Sequence, residues 1–372
     1  MILKNARVYN GRKFACADII TRDGKFAAVN YSDSAAPCTQ PEVIIPGFVD
    51  IHSHGAAGVD MMSSDSAELV EMSGFYARHG VTTLLPSTVS DSREKIMRMI
   101  SEVKKARKLA LTDFAGIHLE GPYINRNKAG AHTPEAVRDI NLCELEEICA
   151  AVLDCGLKLH VTLAPEIDGG LDAVKFLKKR GATVALGHTE ANAEIIKQAL
   201  KAGAVSFTHL FNAMSGIHHR DAGVAGRAIN SGIYAELICD GIHVCPEVVS
   251  MTARAKGLEK IIIVSDSMCA AGLPDGEYNL GRSAVSVSGG RVVLKGTDTI
   301  AGSAADMCGG LLNFIKFTGA GFEDALPLVT RNPAECVGLY GSKGEIAEGK
   351  DADFIVWDSG IKQVYARGER VF

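Results

Sequence analysis

A chain of 372 residues, 47% hydrophobic and 22% charged, can bury a large core and is too long for one small domain. Its formal net charge of −5, with acids and bases interspersed, provides no basic stripe for nucleic acid and no polybasic patch for a membrane, so a small-molecule ligand is the default. Met1-Ile2-Leu3-Lys4-Asn5 opens without a secretory apolar core and no later run approaches a membrane span, so a soluble, cytoplasmic protein is expected. Ten cysteines (16, 38, 143, 149, 155, 239, 245, 269, 308, 336) lie without a Cys-x-x-Cys pair, which argues against a disulfide framework and a thiolate zinc site. All ten are read as reduced thiols.

Residues 1 to 45 read as short strands, Ile2 to Val8, Asp18 to Thr21 and Phe26 to Val29, punctuated by turns at Asn10-Gly11 and Asp23-Gly24. Such a meander is too small to stand alone. Its complement lies at the far end, where Gly344-Glu345-Ile346, Ala352 to Trp357 and Gln363 to Val371 alternate around turns. The termini (1–46 and 343–372) are therefore expected to build one small discontinuous β-sandwich domain, with residues 47–342 inserted between them. The insert carries eight apolar, β-branched runs: Phe48 to Ile51, Val81 to Leu85, Phe114 to Leu119, Leu157 to Leu163, Thr183 to Leu186, Val205 to Thr208, Tyr234 to Ile238 and Ile261 to Val264. Helical patterns lie between them, for example Ala67 to Arg78 before Gly80, Leu142 to Leu153 before Gly156, and Ala191 to Leu200 before Gly203. This α/β alternation predicts a (β/α)8 TIM barrel, with an extra hairpin, Ala284 to Val287 and Arg291 to Leu294, interrupting the eighth unit.

In such a barrel the chemistry sits where strands end. The first run stops on His52 and His54, which share one side because residues two apart on a strand do. The third ends in Glu120, the fifth in His188, the sixth in His209, the seventh in Asp240 with His243 nearby, and the eighth in Asp266. Imidazoles and carboxylates from separate strands meeting at one mouth make a metal site with a carboxylate to spare for proton transfer. Any one of them alone reads equally well as a polar rim residue. His79 ends a helix, His118 and His160 read as interior or supporting residues, and His218 and His219 as solvated loop. His132, in the Lys128-Ala129-Gly130-Ala131-His132 loop, is placed to touch a ligand.

The segments PGFVDIHSHG (46–55), HLEGPYIN (118–125), KAGAH (128–132), LGHT (186–189), THLFNAM (208–214), HHRDAG (218–223), CDGIHV (239–244), SDSMCAAG (265–272) and IAGSA (300–304), with the tail KGEIAEGKDADFIVWD, carry a resemblance. Over essentially its whole length the chain resembles the amidohydrolase superfamily, and within it the deacetylases of amino-sugar phosphates. The resemblance implies hydrolysis of the acetamide of N-acetylglucosamine 6-phosphate to glucosamine 6-phosphate and acetate, with the galacto epimer or another amide substrate as the alternative. It implies one or two divalent ions (Zn, Fe, Mn or Co) held by Glu120, His188 and His209, with His52 and His54 matching relatives that hold a second ion. Asp266 matches the catalytic carboxylate. Ala131, His132, Asn212, Ala213, Arg220, Asp240, His243, Ile300, Ala301 and Gly302 match substrate contacts, and a homodimer is implied in which an arginine placed like Arg220 reaches into the neighbouring site. Ser265 and Ser267-Met268-Cys269 depart from the Thr and Ala-Met-Ala that often flank the Asp in relatives. A non-enzymatic relative would be expected to lose ligands, and none is missing.

Overall fold

The computed structural model describes residues 1–32, 38 and 42–372. Strand Ile2–Tyr9 pairs antiparallel with Phe14–Arg22, which pairs antiparallel with Lys25–Tyr31. The second hairpin turns on Asp23 (φ 50°) and Gly24 (φ 75°), and this left-handed pair is the backbone that an Asp-Gly dipeptide supplies most readily. Ile2–Tyr9 also pairs in parallel with Val43–Pro46, and that strand pairs antiparallel with Phe354–Trp357 from the other end of the chain. Ile361–Ala366 and Glu369–Arg370 complete one seven-stranded sheet that contains both termini. Ala6, Val8, Ile19, Phe26, Ile44, Ile346 and Phe354 form its apolar core. The expected strand at Gly344-Glu345-Ile346 is a turn instead, with only Ile346 buried, because a three-residue segment has no ladder partner there.

All eight expected strands of the insert are present. Phe48–Ser53 runs parallel to Val81–Pro86, which runs parallel to Asp113–Phe114. After a break at Ala115 the third strand continues as Gly116–Glu120 and opens a six-stranded parallel sheet with Lys158–Leu163, Thr183–Leu186, Ser206–Phe207, Tyr234–Ile238 and Ile261–Val264. Parallel bridges Ser87↔His118 and Ser53↔Ser267 join the two sets at their C-terminal ends. The strands are buried on both faces, which is why they read as unbroken Val/Ile/Leu runs rather than alternating ones. Helices lie between them, and their starts follow the sequence. Asp65 and Glu68 close a capping box on Ser66–Arg78, Asn141 caps Leu142–Leu153, and Asn192 caps Ala193–Ala202. Among the described residues, no helix is long and apolar enough to cross a membrane.

Two expectations need correction or extension. Cys16 and Cys38 form a disulfide with Cα atoms 5.6 Å apart, so they are not the reduced thiols expected; their 22-residue separation carries no local motif. The expected hairpin is a three-stranded antiparallel flap, because Gly276–Leu280 adds to Ser283–Ser288 and Arg291–Leu294. The added strand is largely exposed and offers no apolar period to read.

Candidate active site

Each expected ligand stands at the C-terminal end of a parallel strand. His52 is the penultimate residue of Phe48–Ser53, Glu120 closes Gly116–Glu120, and His188, His209 and Asp266 each lie two residues past their strands. His188 (φ 47°), His209 (φ 27°) and Asp266 (φ 47°) are left-handed, a conformation that non-glycine residues hold only where the surroundings dictate it. Those surroundings are visible: the Asp266 amide donates to the His52 carbonyl at 2.9 Å, the Ser303 amide to the Asp266 carbonyl at 2.7 Å, and the Asn125 amide to the His188 carbonyl at 3.0 Å.

The side chains converge on Glu120. Its Oε1 lies 3.2 Å from His188 Nε2, 3.1 Å from His209 Nε2 and 3.4 Å from His52 Nε2, and its Oε2 lies 3.2 Å from His54 Nε2. Asp266 Oδ1 is 3.2 Å from His54 Nε2 and 3.4 Å from His52 Nε2. The outer ring nitrogens fix how two of the inner ones face. His188 Nδ1 donates to the Lys128 carbonyl at 2.7 Å, and His52 Nδ1 donates to the buried Glu236 carboxylate at 3.0 Å. Each therefore presents its Nε2 inward, where His188 and His209 Nε2 stand 3.0 Å apart. Burial alone would push the His54 imidazolium down, yet Asp266 and Glu120 draw its pKa up to about 9, so the centre of the cluster attracts positive charge. Buried N and O donors around one strongly negative point fit a divalent cation.

Above the cluster lies a cleft of about 340 Å³ lined by His54, Glu120, Ala131, His132, His188, His209, Asn212, Ala213, His243, Asp266, Ile300 and Gly302, all expected from the sequence. His52 sits beneath it, fully buried. The Ser90 amide donates to His132 Nδ1 at 2.9 Å, so the proton is on Nε2, which points at the cluster 3.4 Å from Glu120 Oε2. Asp240 does not line the cleft but accepts from His243 Nδ1 at 2.7 Å, and Ala301 is turned inward and fully buried. Arg220 is not brought to the cleft; it is exposed beside the chain's own His219, 2.7 Å away. Sequence reasoning missed Glu236 and the cleft residues Val89, Gly130, Leu280, Asp298 and Thr299. A carboxylate inside the otherwise apolar run Tyr234–Ile238 was the available signal for Glu236; Val89 and Leu280 carried none. His118, which donates or accepts at Ser87 Oγ (2.9 Å) and Thr162 Oγ1 (2.8 Å), and His160, 3.4 Å from Glu236, are supporting residues as expected.

Residues 43–371 match the amidohydrolase family. The chain belongs to the amidohydrolase family. Among similar proteins, N-acetylglucosamine-6-phosphate deacetylase of Bacillus subtilis is 36% identical over 91% of this amidohydrolase and 87% of its own length. N-acetylgalactosamine-6-phosphate deacetylase of Escherichia coli O157:H7 is 33% identical over 93% and 92%. A solved structure of N-acetyl-D-glucosamine-6-phosphate deacetylase from Mycobacterium smegmatis, an aspartate-to-alanine variant in complex with N-acetyl-D-glucosamine-6-phosphate, superposes with a TM-score of 0.91 at 33% identity, covering 100% of this chain and 99% of that one.

Proposed function

We propose that this amidohydrolase removes the acetyl group of N-acetylglucosamine 6-phosphate, leaving glucosamine 6-phosphate and acetate. The observation that carries the reading is the convergence of His52, His54, Glu120, His188 and His209 beneath a cleft that also presents Asp266. Glu120, His188 and His209 would hold a principal ion, and His52 and His54 a second. A divalent ion bound there would supply a Lewis acid for the acetamide carbonyl and would lower the pKa of water toward ~7. Asp266 accepts the proton of that water as it attacks the carbonyl carbon, then delivers it to the departing nitrogen, which cannot leave as an anion. His132 Nε2–H donates to the carbonyl oxygen as charge develops on it. His243, held by Asp240, and the backbone around Asn212 and Ala213 take the phosphate end, with Ala131 and Ile300 to Gly302 along the sugar. Arg220 completes phosphate binding from the neighbouring subunit of a cytoplasmic homodimer, which accounts for its position outside its own cleft.

The supporting frame is read in the same way. The two parallel sheets, bridged at Ser87↔His118 and Ser53↔Ser267, are read as one closed (β/α)8 barrel over residues 47–342. The described residues of 1–46 and 343–372, which share the core of Phe26 and Phe354, are read as the small β-sandwich. Turnover decides the function. The metal-loaded enzyme is expected to prefer N-acetylglucosamine 6-phosphate to unphosphorylated N-acetylglucosamine by orders of magnitude in kcat/KM, to prefer it to the galacto epimer, and to lose activity on chelation. Equal kcat/KM for the phosphorylated and unphosphorylated sugars would sink the phosphate assignment.

A further inference from the structure

The flap ties itself to three active-site loops within three residues of its first turn. The Gly281 amide donates to Asp60 Oδ2 at 2.9 Å, on the loop whose Met61 amide donates to the His54 carbonyl at 3.0 Å. Ser283 Oγ donates to the carbonyl of Ala131, the neighbour of His132, at 3.3 Å. Between them Arg282 makes a two-pronged bond to Asp91, Nε to Oδ2 at 3.1 Å and Nη2 to Oδ1. Asp91 follows Ser90, the residue whose amide fixes the proton of His132 on Nε2. The approach is close, because a Cβ on Gly281 would come 2.6 Å from Val89 Cγ2.

An arginine on a surface loop usually contributes little when it pairs with an exposed acid. Here the acid side chain is 1% exposed while the arginine is 47% exposed, so the guanidinium caps a buried carboxylate rather than decorating the surface. The remaining partners of that carboxylate are the Ser92 amide at 2.6 Å and Lys95 Nζ at 3.4 Å, both from its own segment. Arg138 Nη1 holds the Asp91 carbonyl at 2.8 Å but belongs to the loop on the far side of His132. Among these contacts Arg282 is the one that fastens the Ser90–Asp91 segment to the flap. Two parallel charge-assisted hydrogen bonds fix direction as well as distance.

We propose that Arg282 is a positioning residue for His132, clamping Asp91 so that the Ser90 amide keeps the His132 Nε2–H aimed at the reacting carbonyl. The inference rests on the reading that His132 donates to that oxygen. Loss of the clamp leaves the cluster ligands in place and misdirects one donor that matters most in the transition state, so kcat falls while KM and bound metal hold.

The test measures kcat, KM and metal content of Arg282→Ala, Arg282→Lys, His132→Ala and the Arg282→Ala/His132→Ala double variant. Arg282→Ala is expected to lower kcat roughly 10- to 100-fold with KM within about twofold of wild type. Arg282→Lys is expected to recover part of the loss, since it restores the charge without the fork. The double variant is expected to match His132→Ala alone, because a misaimed donor that has been removed cannot be misaimed again. A wild-type kcat in Arg282→Ala, or a loss that adds in full on the His132→Ala background, would overturn the clamp. Should Arg282→Ala not fold, the same comparison on Arg282→Gln, which keeps the stem and one hydrogen bond, decides it. A wild-type kcat in His132→Ala would instead remove the donor role of His132, an outcome distinct from failure of the clamp.

Discussion

Asp266 holds a left-handed backbone (φ 47°) at the end of a strand and sets its Oδ1 3.2 Å from His54 Nε2, with no lysine or arginine ion-paired to it among the described residues. Burial would raise its pKa, but His52 and His54 outweigh that and keep it below the usual carboxylate range, so it stays ionised and ready to accept a proton. Asp266→Asn keeps the shape and removes the base. It is expected to retain metal and near-normal KM while kcat falls by ~10²–10⁴, measured by steady-state kinetics beside elemental analysis. His243 gives a pH-dependent counterpart. Burial works to lower its pKa, but the hydrogen bond and charge of Asp240 win and raise it above the ordinary histidine value. The cation is therefore present below the raised pKa and lost as pH climbs through it. KM for the phosphorylated sugar should rise on the alkaline side, and His243→Gln should start higher and flatten that limb; an unchanged limb in the variant would assign the titration to another group.

Lys343 joins the terminal sheet to the parallel strands. Its buried Nζ lies 2.8 Å from Asp353, 2.9 Å from Asp351 and 3.0 Å from Asp113, the residue that opens the third parallel strand. Removing Lys343 takes the counter-ion from the buried Asp353 carboxylate, while Asp351 keeps Lys25 and Asp113 keeps Arg107 and Arg367, so Lys343→Met should destabilise the fold by about 3–5 kcal/mol, read from urea unfolding. A loss within about 0.5 kcal/mol would mean that the junction is solvated. Sequence showed the elements here far better than their connections. The eight parallel strands were legible because burial on both faces leaves continuous apolar runs such as Ile261–Val264, and the ligands were legible because they follow those runs. Gly276–Leu280 was not, since four of its five positions face or partly face solvent. Glu236 owes its role to His52 and His160 on distant strands, Arg282 finds Asp91 across 191 residues, and Cys16 meets Cys38 across 22; none of these pairings leaves a local pattern.

Arg220 is where the proposed homodimer becomes testable. The sequence places it among the substrate contacts, yet in the chain it is exposed, touches His219 and stays out of the cleft that holds His243 and Asn212. A guanidinium grips phosphate through two parallel hydrogen bonds, so an arginine that serves phosphate binding must reach some phosphate, and in a homodimer that is the neighbour's. Arg220→Ala should lower kcat/KM for N-acetylglucosamine 6-phosphate by orders of magnitude while changing little for the unphosphorylated sugar, because binding energy from the remote phosphate orients the acetamide. The trans arrangement has its own signature. Arg220→Ala and Asp266→Asn dimers are each expected to be nearly inactive. Mixed and exchanged, they form hybrids in which one cleft has an intact Asp266 and receives an intact Arg220 from its neighbour, while the other cleft carries both defects. Activity should therefore rise on mixing toward about a quarter of wild type, since random exchange makes half of the dimers hybrid with one good site each. Mixing that exchanges subunits, shown by differently tagged chains, without any gain in turnover would place Arg220 in its own subunit's site or outside phosphate binding altogether.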